Sequence, residues 1–466
     1  MKSDAKKIAL IATFLVLHGG VKAQTSLSPE RAAILQQKLD NSVTAFNLPG
    51  ISASIINADG DYWSGASGLS DIHTLDLMNT GHLFYQASVT KMFVATIIFQ
   101  LIEEKQISLD DSVGLYLPVI STVPSDTRIR YLLNHRSGIY DVFSNAAARN
   151  NWYATPNAIW NPKDVMETYN SNPSFAQGTS FLYSNTNYML LGMIIEQITG
   201  DSFAQVLKDK ILIPYNLNQT FFLPEDTVTG SITKGWTSFT LPNTYDTDAA
   251  PILTTCYASM SFTSGALISS PQDVVKFTRL LLSGEILSHA TLDIMRTCTN
   301  VNLGNNSNGY GYGLMRYVFD GKTYYGHAGD LSGFTQLTVH NNTDGITLTI
   351  SINRNNAPRG AIAIELLSAL QNEMILSVEA QPENESRIEV YPNPSTGKVN
   401  IKFGDKTNQK KRIDIYNHLG QNVWSTMLKN GKHSITANLK NNPDGLYFIQ
   451  VTEGLTSETS KIIIKR

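Results

Sequence analysis

Charge is scarce in this chain: 16% of its 466 residues are Asp, Glu, Lys or Arg, against 42% hydrophobic. Cysteine is scarcer still, with only Cys256 and Cys298. Two cysteines exclude a disulfide-dense scaffold and a Cys-only zinc site; whether they pair or stay as buried thiols is open at this stage. The nine His show no H-E-x-x-H or similar ligand spacing, which disfavours a metal enzyme, and no cofactor motif stands out. No G-x-S-x-G elbow occurs, so an α/β-hydrolase is disfavoured as well. Beyond the first residues there is no apolar run near the roughly 20 needed to cross a bilayer, so no transmembrane segment is expected in the mature chain.

What is present is unevenly charged. Four Lys against one Asp make residues 1–23 carry +3, and twelve Lys or Arg against six Asp or Glu make residues 388–466 carry +6. The net charge of the whole is −3, which leaves −12 for the body between them. Phosphate contacts need clustered cations, so a body this acidic argues against nucleic acid as the partner. Lys2, Lys6 and Lys7 precede the apolar run Ile8–Leu17, and Val21-Lys22-Ala23 places small or apolar residues around a cleavage point. That is the layout of a secretory signal peptide over residues 1–23, with the mature chain starting near Gln24.

Residues 24–376 mix helical and strand patterns. Ile51–Ala58 and Tyr62–Gly65 read as strands joined by Asp59-Gly60. Lys322–Tyr325, Phe334–His340 and Ile346–Ile352 read as strands, followed by a helix over Gly360–Ile375. Strands at both ends with helices between predict an α+β fold, an antiparallel sheet flanked by helices and closed by both termini around an all-helical insert. Residues 377–387 are polar with a proline and read as a linker. From Ile388 to Arg466, five short alternating runs (Val399–Phe403, Arg412–Tyr416, Ile435–Leu439, Leu446–Val451 and Lys461–Ile464) predict a small all-β sandwich.

Three motifs carry chemistry. Ser88-Val89-Thr90-Lys91 leads into an apolar-periodic helix over Met92–Glu104. Residues i and i+3 share a helix face, so the Lys91 amine can sit beside the Ser88 hydroxyl. A lysine among apolar residues gives up its proton near neutral pH and becomes a base for that serine. Tyr183-Ser184-Asn185 precedes a second helix over Tyr188–Ile198 and offers a phenol and an amide. His327-Ala328-Gly329 ends the strand-like run at Tyr325, where a glycine lets a substrate backbone come close. Each motif alone is weak: a capping serine, a loop tyrosine and an ordinary histidine account for them. Their order is specific.

With these motifs, residues Leu27–Ile375 resemble the serine β-lactamase and D-alanyl-D-alanine carboxypeptidase superfamily. They look closest to the branch with class C β-lactamases, H-x-G carboxypeptidases and D-aminopeptidases. Leu132-Leu133-Asn134-His135-Arg136-Ser137-Gly138 and Ser264–Ser270 resemble supporting segments of that family. The resemblance implies Ser88 as the acylated nucleophile, Lys91 as the partner taking its proton, and Tyr183 as general acid or base. It implies Asn185, His327, Gly329 and Asp330 as substrate-binding residues, with the backbone N–H groups of Ser88 and Asp330 stabilising the oxyanion. His135 is read as structural. H-A-G in place of K-T-G leaves His327 mostly neutral and Ala328 without a hydroxyl, which turns the expectation toward peptidases and esterases.

The final segment, with Tyr391-Pro392-Asn393-Pro394-Ser395-Thr396-Gly397, Leu419-Gly420 and Gly445-Leu446-Tyr447, resembles a type IX secretion system sorting domain. It implies the type IX secretion machinery as a partner and a secreted or cell-surface location. The expected function is a secreted serine hydrolase resembling D-alanyl-D-alanine carboxypeptidases or related D-amino-acid peptidases, without metal or other cofactor. Its substrates would be peptides, amides or small esters, peptidoglycan-derived ones included. The alternatives are a β-lactamase or small-ester hydrolase on the same site, and a non-catalytic penicillin- or peptidoglycan-binding surface protein.

Overall fold

A tight turn starts the main sheet. Gly60 takes φ +89° between Gly50–Ile56 and Tyr62–Asp71, a conformation open to glycine without strain. The resulting hairpin pairs along its whole first strand, Gly50 against Gly68 through Ile56 against Tyr62. The computed structural model describes residues 24–237, 247–250, 253–371, 388–403, 411–417, 421–428, 432–453 and 456–466. The expected signal peptide (1–23) and linker (377–387) lie outside the described residues. The chain divides into two units, Met1–Glu373 and Met374–Arg466.

In the first unit the sheet has ten strands among the described residues. Its middle runs Tyr62–Asp71, Gly50–Ile56, Thr347–Ile352, Phe334–His340, Lys322–Leu331, all antiparallel. Ile51 pairs with Ile352, so the unit's first hairpin and its last strand meet at the sheet's centre. Three strands absent from the sequence expectation, Met315–Phe319, Ser307–Tyr310 and Thr299–Gly304, extend the far edge. The Asn- and Gly-rich composition of the last two hides them from an alternation test; Met315–Phe319, with Tyr317, Val318 and Phe319, was readable and was overlooked.

Directly paired residues share a sheet face, and the two faces differ. One carries Ile51, Ala53, Ile55, Leu337, Val339, Leu348 and Ile350, packed against Leu35 and Leu39 of helix Pro29–Ala45 and Ile362 and Leu366 of helix Arg359–Gln371. The other carries Ser52, Ser54, Gln336, Thr338, Thr349 and Ser351, all buried. Thr338 Oγ1 lies 2.8 Å from Thr349 Oγ1 and 2.7 Å from Thr278 Oγ1 of helix Pro271–Leu282. His327 and Gly329 stand on this polar face, opposite Thr338 and Gln336.

The region between the sheet's halves is mainly helical. Helix Thr90–Glu103 is apolar around nearly its whole circumference, and such a helix must be enclosed. It packs with helix Asn185–Thr199 in one core, where Phe93 stacks on Phe277 at 3.7 Å. A short three-stranded sheet, Phe84–Tyr85, Leu267–Ser269 and Thr220–Phe222, anchors the chain entering that helix.

The second unit is the expected β-sandwich. Its sheets are Ile388–Tyr391, Lys398–Phe403, Ser434–Asn438 and Asn422–Leu428, Lys411–Asn417, Gly445–Glu453, Thr456–Ile464. Val399, Ile401, Ile413, Ile415, Ile449 and Ile462 fill the space between them. Ile388–Tyr391 and Asn422–Leu428 are strands the sequence expectation omitted. Among the described residues, no helix is long and apolar enough to cross a membrane.

Candidate active site

Ser88 sits in a single 3₁₀ turn, Ala87–Val89, that runs straight into helix Thr90–Glu103. Ala87 has φ +46°, a left-handed conformation that costs a residue with a side chain about 1–3 kcal/mol. The surroundings hold it there. Gln86 donates its backbone N–H to Leu267 O at 2.8 Å and its side-chain amide to Phe84 O and Ser269 O, both at 3.1 Å. Thr90 Oγ1 donates to Ala87 O at 2.6 Å. The turn thus presents the half-buried Ser88 hydroxyl in one fixed direction.

Lys91, one helical turn on, is fully buried. Its Nζ is 3.0 Å from Ser88 Oγ, 2.8 Å from Asn185 Oδ1 and 2.7 Å from Ser264 O. Desolvation pushes its pKa down to about 7, against the opposing pull of the Asp141 carboxylate. A neutral amine has two N–H bonds and one lone pair. An amide oxygen and a peptide carbonyl only accept hydrogen bonds, so Asn185 Oδ1 and Ser264 O take the two protons and the lone pair faces Ser88. Deprotonated Lys91 is therefore held as an acceptor for the Ser88 proton.

Asn185 is the first residue of its helix rather than a loop residue before it. Its side chain faces Asp141, which the sequence reading missed. The Asp141 carboxylate accepts from Phe143 N at 3.2 Å, Asn185 N at 3.2 Å and Asn185 Nδ2 at 3.2 Å. Burial raises its pKa, and these N–H donors and Lys91 counter the rise. The one sequence clue to Asp141 was its place three residues beyond the Ser137-Gly138 pair.

Tyr183 brings its ring face, not its oxygen, to the lysine: Lys91 Nζ is 5.0 Å from the ring centroid. Its hydroxyl is enclosed, and no well-directed hydrogen bond reaches it from the protein. Burial raises its pKa well above the ordinary tyrosine value, with the nearby Ser88 hydroxyl as the leading opposing influence. The ring rests on His135, centroids 4.1 Å apart. His135 Nδ1 accepts from Ser184 N and faces Asn187 Nδ2, each at 3.2 Å, tying it to the start of the Asn185 helix.

His327 lies in the middle of strand Lys322–Leu331, not at the end of one. Its Nδ1 is 2.6 Å from Ala328 O and its Nε2 3.0 Å from Tyr310 Oη. A carbonyl only accepts, so the ring proton sits on Nδ1 and Nε2 accepts from Tyr310. Burial pushes the imidazolium down to about 3, so the ring is neutral. Tyr310 too was missed by the sequence reading; it lies in a Gly- and Asn-rich stretch. A Cβ on Gly329 would collide with the Gln86 carbonyl oxygen, so only glycine lets this strand lie against the Ser88 turn. The Asp330 side chain is exposed and pairs with the buried Arg359.

An aromatic line borders the site. Phe143, Trp152 and Tyr257 meet edge to face at 5.3 and 5.2 Å, and Tyr257 Oη lies 3.4 Å from Gly265 O. Cys256 and Cys298 are both free thiols. Among the described residues, no group of three or more His, Cys, Asp or Glu could hold a metal ion.

Known proteins share this architecture. Residues 35–372 match the family described as Beta-lactamase, and residues 389–465 match the Secretion system C-terminal sorting domain. The second match makes this a secreted or cell-surface protein. The chain is 27% identical over 378 residues to Penicillin-binding protein 4 of Amycolatopsis lactamdurans, covering 78% of this chain and 96% of that one. It is 30% identical over 224 residues to a Putative D-alanyl-D-alanine carboxypeptidase of Escherichia coli (strain K12), covering 43% of this chain and 50% of that one. Among solved structures, a D-stereospecific amidohydrolase from Streptomyces sp. superimposes with a TM-score of 0.62 at 28% identity, over 72% of this chain and 97% of that one.

Proposed function

The chain belongs to the β-lactamase family of serine hydrolases, and on that premise we propose that it forms an acyl-enzyme on Ser88 with amides and peptides of D-amino acids. The observation that carries the reading is the buried Lys91 amine, its pKa pushed down to about 7, with Nζ 3.0 Å from Ser88 Oγ. Ser88 Oγ attacks the substrate carbonyl carbon while its proton passes to Lys91 Nζ. Burial holds Tyr183 as a phenol, which suits it to protonate the departing amine nitrogen. The Lys91 ammonium faces the ring and not its oxygen, so its proton returns to the phenolate through a solvent molecule entering the site. Water then attacks the acyl carbon, the bond to Ser88 Oγ breaks, and the water's proton, received through Tyr183 and Lys91, ends on Ser88 Oγ. The backbone N–H groups of Ser88 and Asp330 receive the oxyanion, and such a donor contributes about 3–4 kcal/mol. Asn185, His327 and Gly329 line the path of the substrate backbone.

The D configuration rests on the amidohydrolase and carboxypeptidase relatives. The leaving group follows from charge. His327 is neutral and Arg359 is engaged by Asp330, so neither offers a free cation to a terminal carboxylate. That favours amides over dipeptides with a free C-terminus, and keeps small esters and β-lactams as a second reading. The test compares kcat/KM for D-amino-acid amides, D-Ala-D-Ala peptides, p-nitrophenyl acetate and nitrocefin, with Ser88→Ala alongside. The variant is expected to lose on the order of 10⁴-fold on the preferred substrate. Undiminished turnover by the variant overturns the reading.

A further inference from the structure

The Lys91 amine works as a base only while the Asn185 amide stands one way round. Turned over, the amide would present Nδ2–H to the lysine lone pair, which would then accept from Asn185 instead of from Ser88. The two orientations have almost the same shape, so packing does not choose between them. A carboxylate does, because it only accepts: facing Asp141, the amide must offer its Nδ2 and so turn its Oδ1 to Lys91. Resting on Ser88 and Lys91 as nucleophile and base, we propose that Asp141 is a positioning residue that fixes the Asn185 amide and thereby keeps the Lys91 lone pair on Ser88.

The geometry makes Asp141 suited to little else. It sits at the N-terminus of the Asn185 helix and receives that helix's first N–H at 3.2 Å as well as the side-chain amide. Its remaining N–H partner, Phe143, starts the aromatic line at the border of the site. All its bonds come from N–H donors, which suits the ionised form. The charge acts at longer range too, favouring the protonated lysine. The other groups facing Lys91 are Ser88 from its own turn, Tyr183, Tyr188 and Asn185 from the second helix and its lead-in, the Ser264 carbonyl, and the neutral His135 and His327. Asp141 is thus the anion among the groups acting on this amine.

The two effects separate in two variants of the full chain. Asp141→Asn keeps an oxygen for Asn185 Nδ2 but removes the charge; Asp141→Ala removes both. Acylation by p-nitrophenyl acetate is followed from about pH 5 to 10, with Ser88→Ala as the reference. Asp141→Asn, which donates as well as accepts and so no longer forces the Asn185 amide one way, is expected to lower the plateau several-fold, less than Asp141→Ala, and to move the acid limb down by about half a pH unit, because less negative charge means an earlier-deprotonating lysine. Asp141→Ala is expected to lose about tenfold or more on the plateau. An acid limb in Asp141→Asn that coincides with the wild type, or an Asp141→Ala plateau equal to it, overturns the proposal. The asparagine variant guards against an alanine variant that does not fold. Acylation that persists in Ser88→Ala would instead sink the nucleophile reading beneath it.

Discussion

The two faces of the main sheet are built from different residues for different ends. One is Ile, Leu, Val and Ala, closed by two helices from opposite ends of the unit. The other is Ser, Thr, Gln and His, buried as completely but joined by side-chain hydrogen bonds such as Thr278–Thr338–Thr349 and Ser54–Ser64. Apolar contacts are non-directional and accept a shift of a few tenths of an ångström; hydroxyl ladders do not. The difference teaches how the protein holds His327 and Gly329 against the Ser88 turn: the apolar face supplies the stability and the polar face the position.

The comparison can be tested from both sides. The largest effect is expected from Ile350→Ala, which empties the centre of the apolar face and should cost about 3 kcal/mol in urea unfolding while leaving kcat within a few-fold. An equal loss in kcat would show that the faces are not separable. Next comes pH. His327 and His340 both stand on the polar face with pKa values pushed down by burial, to about 3 and about 4. The unfolded chain binds protons there first, so their contribution to stability is whole above about 6.5 and is lost as pH falls toward 4. Thermal melts from pH 7 to 4 should decline over that window, and His340→Gln should flatten the decline. An unchanged slope in that variant would remove His340 from the account. The smallest effect is expected from Thr338→Val, which breaks the ladder at equal volume. It should cost about 1 kcal/mol and lower kcat more than it lowers stability. The reverse ranking would make the ladder ordinary packing.

The residues legible in the sequence were those whose partners lie close along the chain. Ser88 and Lys91 are one helical turn apart, and the Asp59-Gly60 hairpin announces itself. Phe334–His340 was readable to the residue because turns bracket it. Asp141, Tyr310 and the Ser264 carbonyl were hidden, since each reaches the site from a segment distant in sequence and one of them, the Ser264 carbonyl, is a backbone acceptor that any residue type can supply. The strand Asn422–Leu428 escaped because exposed Asn and Ser alternate weakly with its half-buried positions.

The pairing of Ile51 with Ile352 sets a schedule as well as a shape. While the chain is being made, its opening hairpin waits with an unpaired edge until nearly all of the hydrolase has emerged, and the strand bearing Gly329 reaches the Ser88 turn only then. No product of synthesis that stops before Thr347–Ile352 holds the finished sheet. A hydrolase destined to leave the cell thereby carries its own delay, because Gly329 meets the Ser88 turn only once the last strands of the sheet have been delivered.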